Sequence, residues 1–159
     1  MKKIFLILII IIIIITIIFI IKRKKEVEIS KIKYFNFGYT TGNMIDAYVS
    51  YNIELKDKKY VVSIKPTRIP EEETLKIEIS PKEMNKIEKI LKENEVGKWD
   101  GFQKSDKNVL DGNSFSLSVR FTNNDSISAS GYMKYPNNYK KVQEELDKFF
   151  MNIYNKNKK

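Results

Sequence analysis

Asp106, Asn108 and Asp111 stand just ahead of a glycine, Gly112. Oxygen-bearing side chains at alternate positions before a turn glycine are how a calcium loop gathers ligands, in the pattern D-x-[DN]-x-[DN]-G with a later glutamate. Asp106 and Asn108 fit its first two positions. The third falls on Leu110 and the glycine position on Asp111, and the next acidic residue is Asp125. The register therefore fails by one residue. Divalent-ion chemistry would need a different site, with Asp100, Asp106 and Asp111 converging. The plainer reading is a polar loop closing in a turn, where Asp and Gly accept special backbone angles.

Other chemistry is narrowed by residue type. The chain has no His and no Cys. A Ser-His-Asp or Cys-His nucleophile system cannot be built, and the usual zinc ligands are missing. Lys104 and Ser105 are adjacent rather than spaced as S-x-x-K. Glu71, Glu72 and Glu73 are consecutive, which does not place two acids across a cleft. Neither a Walker loop nor a dinucleotide fingerprint occurs. The expectation is a non-enzymatic protein with no cofactor, no metal site and no catalytic residues. The alternative is an envelope enzyme dependent on carboxylates or a divalent ion.

Trp99, the only tryptophan, lies in GKWDGF. With Phe102 it is expected to plug the core beneath the following loop; aromatic rings between glycines can also stack on sugars or peptides. The span from Gly101 to Gly112 is long for a connection in so small a domain. The candidate interaction surface is therefore Trp99, Asp100, Phe102, Asp106, Asn108 and Asp111, beside the edge of the last hairpin.

Several elements must position this surface. YFNFGY (34–39) reads as a first strand and TTGN (40–43) as a turn. Ala47, Val49, Tyr51, Ile53 and Leu55 alternate with polar residues, the pattern of a half-buried antiparallel strand. KDKK turns the chain into YVVSIK (60–65), the second arm of a hairpin. PTRIPEEE (66–73) is a loop, and LKIEI (75–79) is a short strand. Ser80-Pro81-Lys82-Glu83 is a capping box that opens a helix carrying Met84, Ile87, Ile90 and Leu91. That helix should end near Asn94, with Gly97 just beyond. Phe115, Leu117, Val119 and Phe121 face one way on the next strand. NNDS turns it into SISASGYM (126–133). A last helix begins around Pro136–Asn138 with the stripe Tyr139, Val142, Leu146, Phe149, Phe150 and Ile153. Strands with segregated helices indicate α+β: an antiparallel sheet of about five to six strands with two helices on one face.

The first 25 residues stand apart. Ile4 to Ile21 is an 18-residue run with Thr16 its only polar member. As a helix it would be roughly 27 Å long, enough for a thin hydrocarbon core. It ends in KRKK rather than a small-residue cleavage site, so it reads as one uncleaved transmembrane helix. The organisation expected is an anchor (1–25), a connector (26–33), an α+β domain (34–155) and a basic tail (156–159), with the lipid bilayer as partner of Ile4 to Ile21. The net charge of +9 belongs to the ends: residues 26–155 hold 20 basic and 20 acidic side chains. Nucleic acid is therefore not an expected partner. The basic flanks suit anionic headgroups. Orientation is contested: Lys and Arg are more numerous after the run, which favours a cytoplasmic domain, whereas MKK before an apolar run is the opening of an exported chain.

KWDGFQKSDKNVLDGNSFSLSV, SISASGYMKYPNNYKKVQEELDKFF and FNFGYTTGNM together resemble an uncharacterised family of small membrane- or lipid-anchored envelope proteins from clostridia and related Firmicutes. The resemblance covers roughly residues 34 to 154. It implies one α+β domain in the cell envelope of a bacterium, on a single-pass or lipid anchor, and transfers no functional residue. The chain lacks the lipobox Cys of the lipoprotein-type members. The reading that follows is a single-pass membrane protein with an extracytoplasmic domain that binds a protein, a peptide or a cell-wall component. A membrane-tethered regulator facing the cytoplasm is the alternative.

Overall fold

The computed structural model describes residues 26–40, 48–66 and 74–158. The expected transmembrane helix, the Thr40–Asn43 turn beyond Thr40 and most of the Pro66–Glu73 loop lie outside them. Among the described residues no helix is long and apolar enough to cross a membrane. The fold is α+β, as the segregation of strands and helices indicates.

The described residues form a seven-stranded sheet and two α-helices. The strands are β1 (Ile32–Thr40), β2 (Tyr48–Lys56), β3 (Lys59–Lys65), β4 (Leu75–Ile79), β5 (Phe102–Ser105), β6 (Ser114–Phe121) and β7 (Ser126–Tyr132). The helices are α1 (Pro81–Glu93) and α2 (Tyr139–Asn157), with a 3-10 turn at Val96–Trp99. The spatial order is β4-β3-β2-β1-β6-β7-β5. From β4 to β7 each strand runs antiparallel to the next, and β5 pairs parallel with β7, Phe102 opposite Ala129 and Ser105 opposite Tyr132. An all-antiparallel sheet of five to six strands is thus corrected to a mixed sheet of seven. β5 has no apolar alternation to reveal it; Phe102 is its one apolar residue, and its pairing comes from a strand more than twenty residues later in the chain.

Alternation decides which face is buried. Phe35, Phe37 and Tyr39 of β1, Val49, Tyr51 and Ile53 of β2, and Phe115, Leu117, Val119 and Phe121 of β6 all point to one side. There they meet Met84, Ile87 and Leu91 of α1 and Val142, Leu146, Phe150 and Ile153 of α2. Phe150 stacks on Tyr51 at 4.3 Å between ring centroids. Burying such side chains stabilises by about 1.5–3 kcal/mol each, which is what holds the two helices on the sheet. The other face carries Asn36, Asn52, Ser63, Ser116, Ser118, Ser128 and Ser130, as expected of a one-sided sheet.

The ends of α1 follow two different rules. At its start, the Glu83 amide donates to Ser80 Oγ and the Ser80 amide donates to Glu83 Oε2, the reciprocal capping box. It ends at Glu93 with Asn94 as C-cap, as expected, and the left-handed residue that follows is Glu95, at φ 54°. Gly97 sits inside the 3-10 turn for another reason: a Cβ there would lie 2.0 Å from the Val27 carbonyl oxygen. The Val27 amide donates to Gly97 O. Residues 26–33 therefore do not form a free connector. Val27 and Ile29 pack on the core, the Ile32 amide donates to Glu88 Oε1, and β1 starts two residues before Tyr34.

Candidate functional site

The six residues expected to form a surface are divided by the fold. Trp99 is only 2% exposed, its Nε1–H donating to Asn137 O at 3.0 Å and its ring edge-on to Phe115. It plugs the core, as its sequence context suggests. Asp100 turns to the sheet edge, where its Oδ1 accepts from the Ser128 amide. Gly101, at φ 65°, then swings the chain into β5.

The remaining acidic positions do not converge with Asp100. Asp106 Oδ1 accepts from the Asn108 amide in a local turn, and its Oδ2 lies 3.0 Å from Lys134 Nζ. The Lys134 hydrogen bond, helped by the Asn108 amide, holds the Asp106 carboxyl below the usual carboxylate range. Asn108 and Asp111 are exposed. Among the described residues no three His, Cys, Asp or Glu side chains gather as a metal set.

The loop itself is shorter than the expected twelve-residue span, because Phe102–Ser105 is strand. Residues 106–113 cross the end of β7 and are tied to it: Tyr132 Oη donates to Leu110 O, the Met133 amide donates to Asn113 O, and Tyr135 Oη donates to Asn113 O. Leu110, the loop's large apolar side chain, is 94% exposed.

Trp99 and Phe102 do share a site, on the other side of β5. They line a pocket of about 270 Å³ where the end of α1, the 3-10 turn, β5 and the start of α2 meet. Tyr135 and Pro136 complete its apolar part. Asn94, Asn137 and Asn138 supply carboxamides, and Lys98, Lys104 and Glu95 supply charge. Behind it the aromatic rings form one connected cluster: Phe115 touches Trp99, Phe102, Tyr135 and Tyr139 at 4.6–6.2 Å between centroids. Asn94 is held rigid, its Nδ2 donating to Ile90 O and to Glu145 Oε2, both at 2.9 Å. The one carboxylate, Glu95, is taken by Lys98, which it holds above the usual lysine range. Lys104 Nζ lies over the Phe102 ring at 5.3 Å and has no ion-pair partner among the described residues. Such a mix of stacking faces, amides and ammonium groups can hold a small polar ligand that carries negative charge.

Sequence reasoning found Trp99 and Phe102 and missed the rest of the lining. The overlooked signal is YPNNY (135–139), read only as a helix start; its Pro and paired Asn mark a turn whose side chains border the pocket. A second polar cluster was also missed. Tyr39 Oη and Tyr51 Oη both donate to Asp147 at 2.7 Å, beneath the sheet. Its mark in the sequence is an aspartate flanking the apolar stripe of α2, next to Leu146. Burial, followed by the neighbouring Asp147, raises both phenols well above the usual tyrosine range, so both stay neutral donors. No protein-family model matches the chain, and comparison with curated proteins finds no relative.

Proposed function

We propose that this is a single-pass membrane-anchored protein whose α+β domain stands on the outer side of a bacterial cytoplasmic membrane and binds an envelope ligand without chemistry. The observation that carries the reading is the pocket between Trp99, Phe102 and Tyr135, with Lys98 and Lys104 at its border and its only carboxylate already engaged. The apolar run from Ile4 to Ile21 and its basic flanks support the anchor, and the resemblance to anchored envelope proteins of Firmicutes agrees with it.

Trp99 is the sole tryptophan and lies in the pocket wall, so its fluorescence reports occupancy directly. Titrating the full chain in detergent with soluble cell-wall fragments, acidic peptides and sugar phosphates should give a saturable change with one class. Phe102→Ala should abolish that change while the fold persists. A response that is identical in Phe102→Ala would sink the pocket as the binding site. Protease shaving of protoplasts decides the side of the membrane: digestion of the domain is expected, and full protection would place it in the cytoplasm, as the regulator reading requires.

A further inference from the structure

The chain enters the domain at the rim of the pocket. The Val27 amide donates to Gly97 O, and Gly97 has no room for a side chain because the Val27 carbonyl is pressed against it. The next residue, Lys98, lines the pocket, and Glu26 is near enough to act on its charge. Val27 is six residues beyond Ile21, where the expected membrane run ends, and six residues of extended chain reach at most about 20 Å. The tether therefore keeps Val27, and with it the Gly97–Lys98 rim of the pocket, within about that distance of the end of the expected membrane run.

Resting on the proposed anchor and pocket, we infer that the ligand is the anionic headgroup of a membrane lipid, taken up at Lys104 beside the Lys98–Glu95 pair, in a pocket tethered close to the bilayer. Three observations agree. The pocket, at about 270 Å³, is below the usual size for drug-like ligands and suits a headgroup rather than a polymer. Its free cation is Lys104; the adjoining open groove that shares Tyr135, Pro136 and Asn138 with it is bordered by Lys140 and Lys141, each 3.9 Å from a glutamate, Glu144 and Glu145. Its amides and aromatic faces match the glycerol or sugar part of a headgroup, which a bare basic patch would not hold.

The test uses the full chain in nanodiscs of phosphatidylcholine, with and without phosphatidylglycerol, and reads Trp99 emission. Headgroup-nitroxide lipid is expected to quench Trp99 by about half, because the interfacial layer is only about 5–7 Å deep on each side. Phosphatidylglycerol should shift the emission further. Lys104→Gln should keep the quenching and weaken the phosphatidylglycerol response about fivefold. A chain that inserts but shows no nitroxide quenching, or responds equally in both discs, overturns the inference and leaves the anchor intact. A chain that does not enter discs overturns both. A shift by free glycerol phosphate as large as that by the lipid assigns the site to a soluble phosphate and overturns the lipid source.

Discussion

The Tyr51 hydroxyl donates to Asp147 Oδ1 across 2.7 Å, joining the second strand of the sheet to the middle of the last helix. Tyr39 meets the same carboxylate from the neighbouring strand. Asp147→Ala removes the carboxylate acceptor of two phenols beneath the sheet, leaving them each other and, for Tyr39, Gln143. The expected loss is about 1–3 kcal/mol, the cost of one orphaned buried group. Tyr51→Phe removes only one donor and should cost less. Urea unfolding of the full chain in detergent measures both, and equal stability of Asp147→Ala and the wild type would mean the cluster is dispensable.

The same cluster sets behaviour in alkali. Burial raises Tyr39, Tyr51 and Tyr139 above the usual tyrosine value of 10.0, with Asp147 adding to each. The unfolded chain loses these protons first. Stability from the three phenols is therefore complete below pH 10, about the unfolded value, and falls as pH rises beyond it. Absorbance at 295 nm should show part of the nine tyrosines titrating normally and the rest only together with loss of the far-ultraviolet signal. A single smooth titration of all nine near pH 10 in the folded chain would contradict this.

Gly97→Ala places a methyl group 2.0 Å from the Val27 carbonyl oxygen. Either the 3-10 turn shifts or the entering segment is displaced. A cost of about 1–3 kcal/mol is expected, as for overpacking in a core. Hydrogen exchange at the Val27 amide, which donates to Gly97 O, should quicken. Unchanged protection would show that the contact yields without strain.

Ser80→Ala removes the N-cap of α1 and should cost about 1 kcal/mol at neutral pH. The Ser80 amide and hydroxyl hold the Glu83 carboxyl below its usual range. Stability from this carboxylate is present above the unfolded pKa and is lost as pH falls through the lower folded value. The gap between Ser80→Ala and wild type should thus narrow on acidification below about pH 4. Chemical denaturation at two pH values checks the sign.

What could be read in advance followed local rules. The alternation in β2 and β6, the Ser80–Glu83 box and the stripe from Tyr139 to Ile153 each state their element and face within a few residues. β5 could not be read that way, since FQKS has no period and owes its state to β7. The end of α1 near Asn94 could be read, but not its mechanism: Glu95 takes the left-handed angle and Gly97 serves packing. The pocket was half legible for a related reason. Trp99 and Phe102 attract notice by residue type, whereas Lys104, Tyr135 and Asn138 are ordinary surface residues until the fold gathers them.

The position of β5 has a consequence for when the pocket can exist. Its partner β7 and the Tyr135–Asn138 wall are both made later in the chain than Phe102. During synthesis the segment around Trp99 emerges with no strand to pair with and no carbonyl for its indole, since Asn137 O comes 38 residues later. The pocket closes only once the last helix has docked, so a ribosome-bound or truncated chain offers no competing, half-built version of it. The binding proposed for this pocket would thus be confined to molecules that have finished folding.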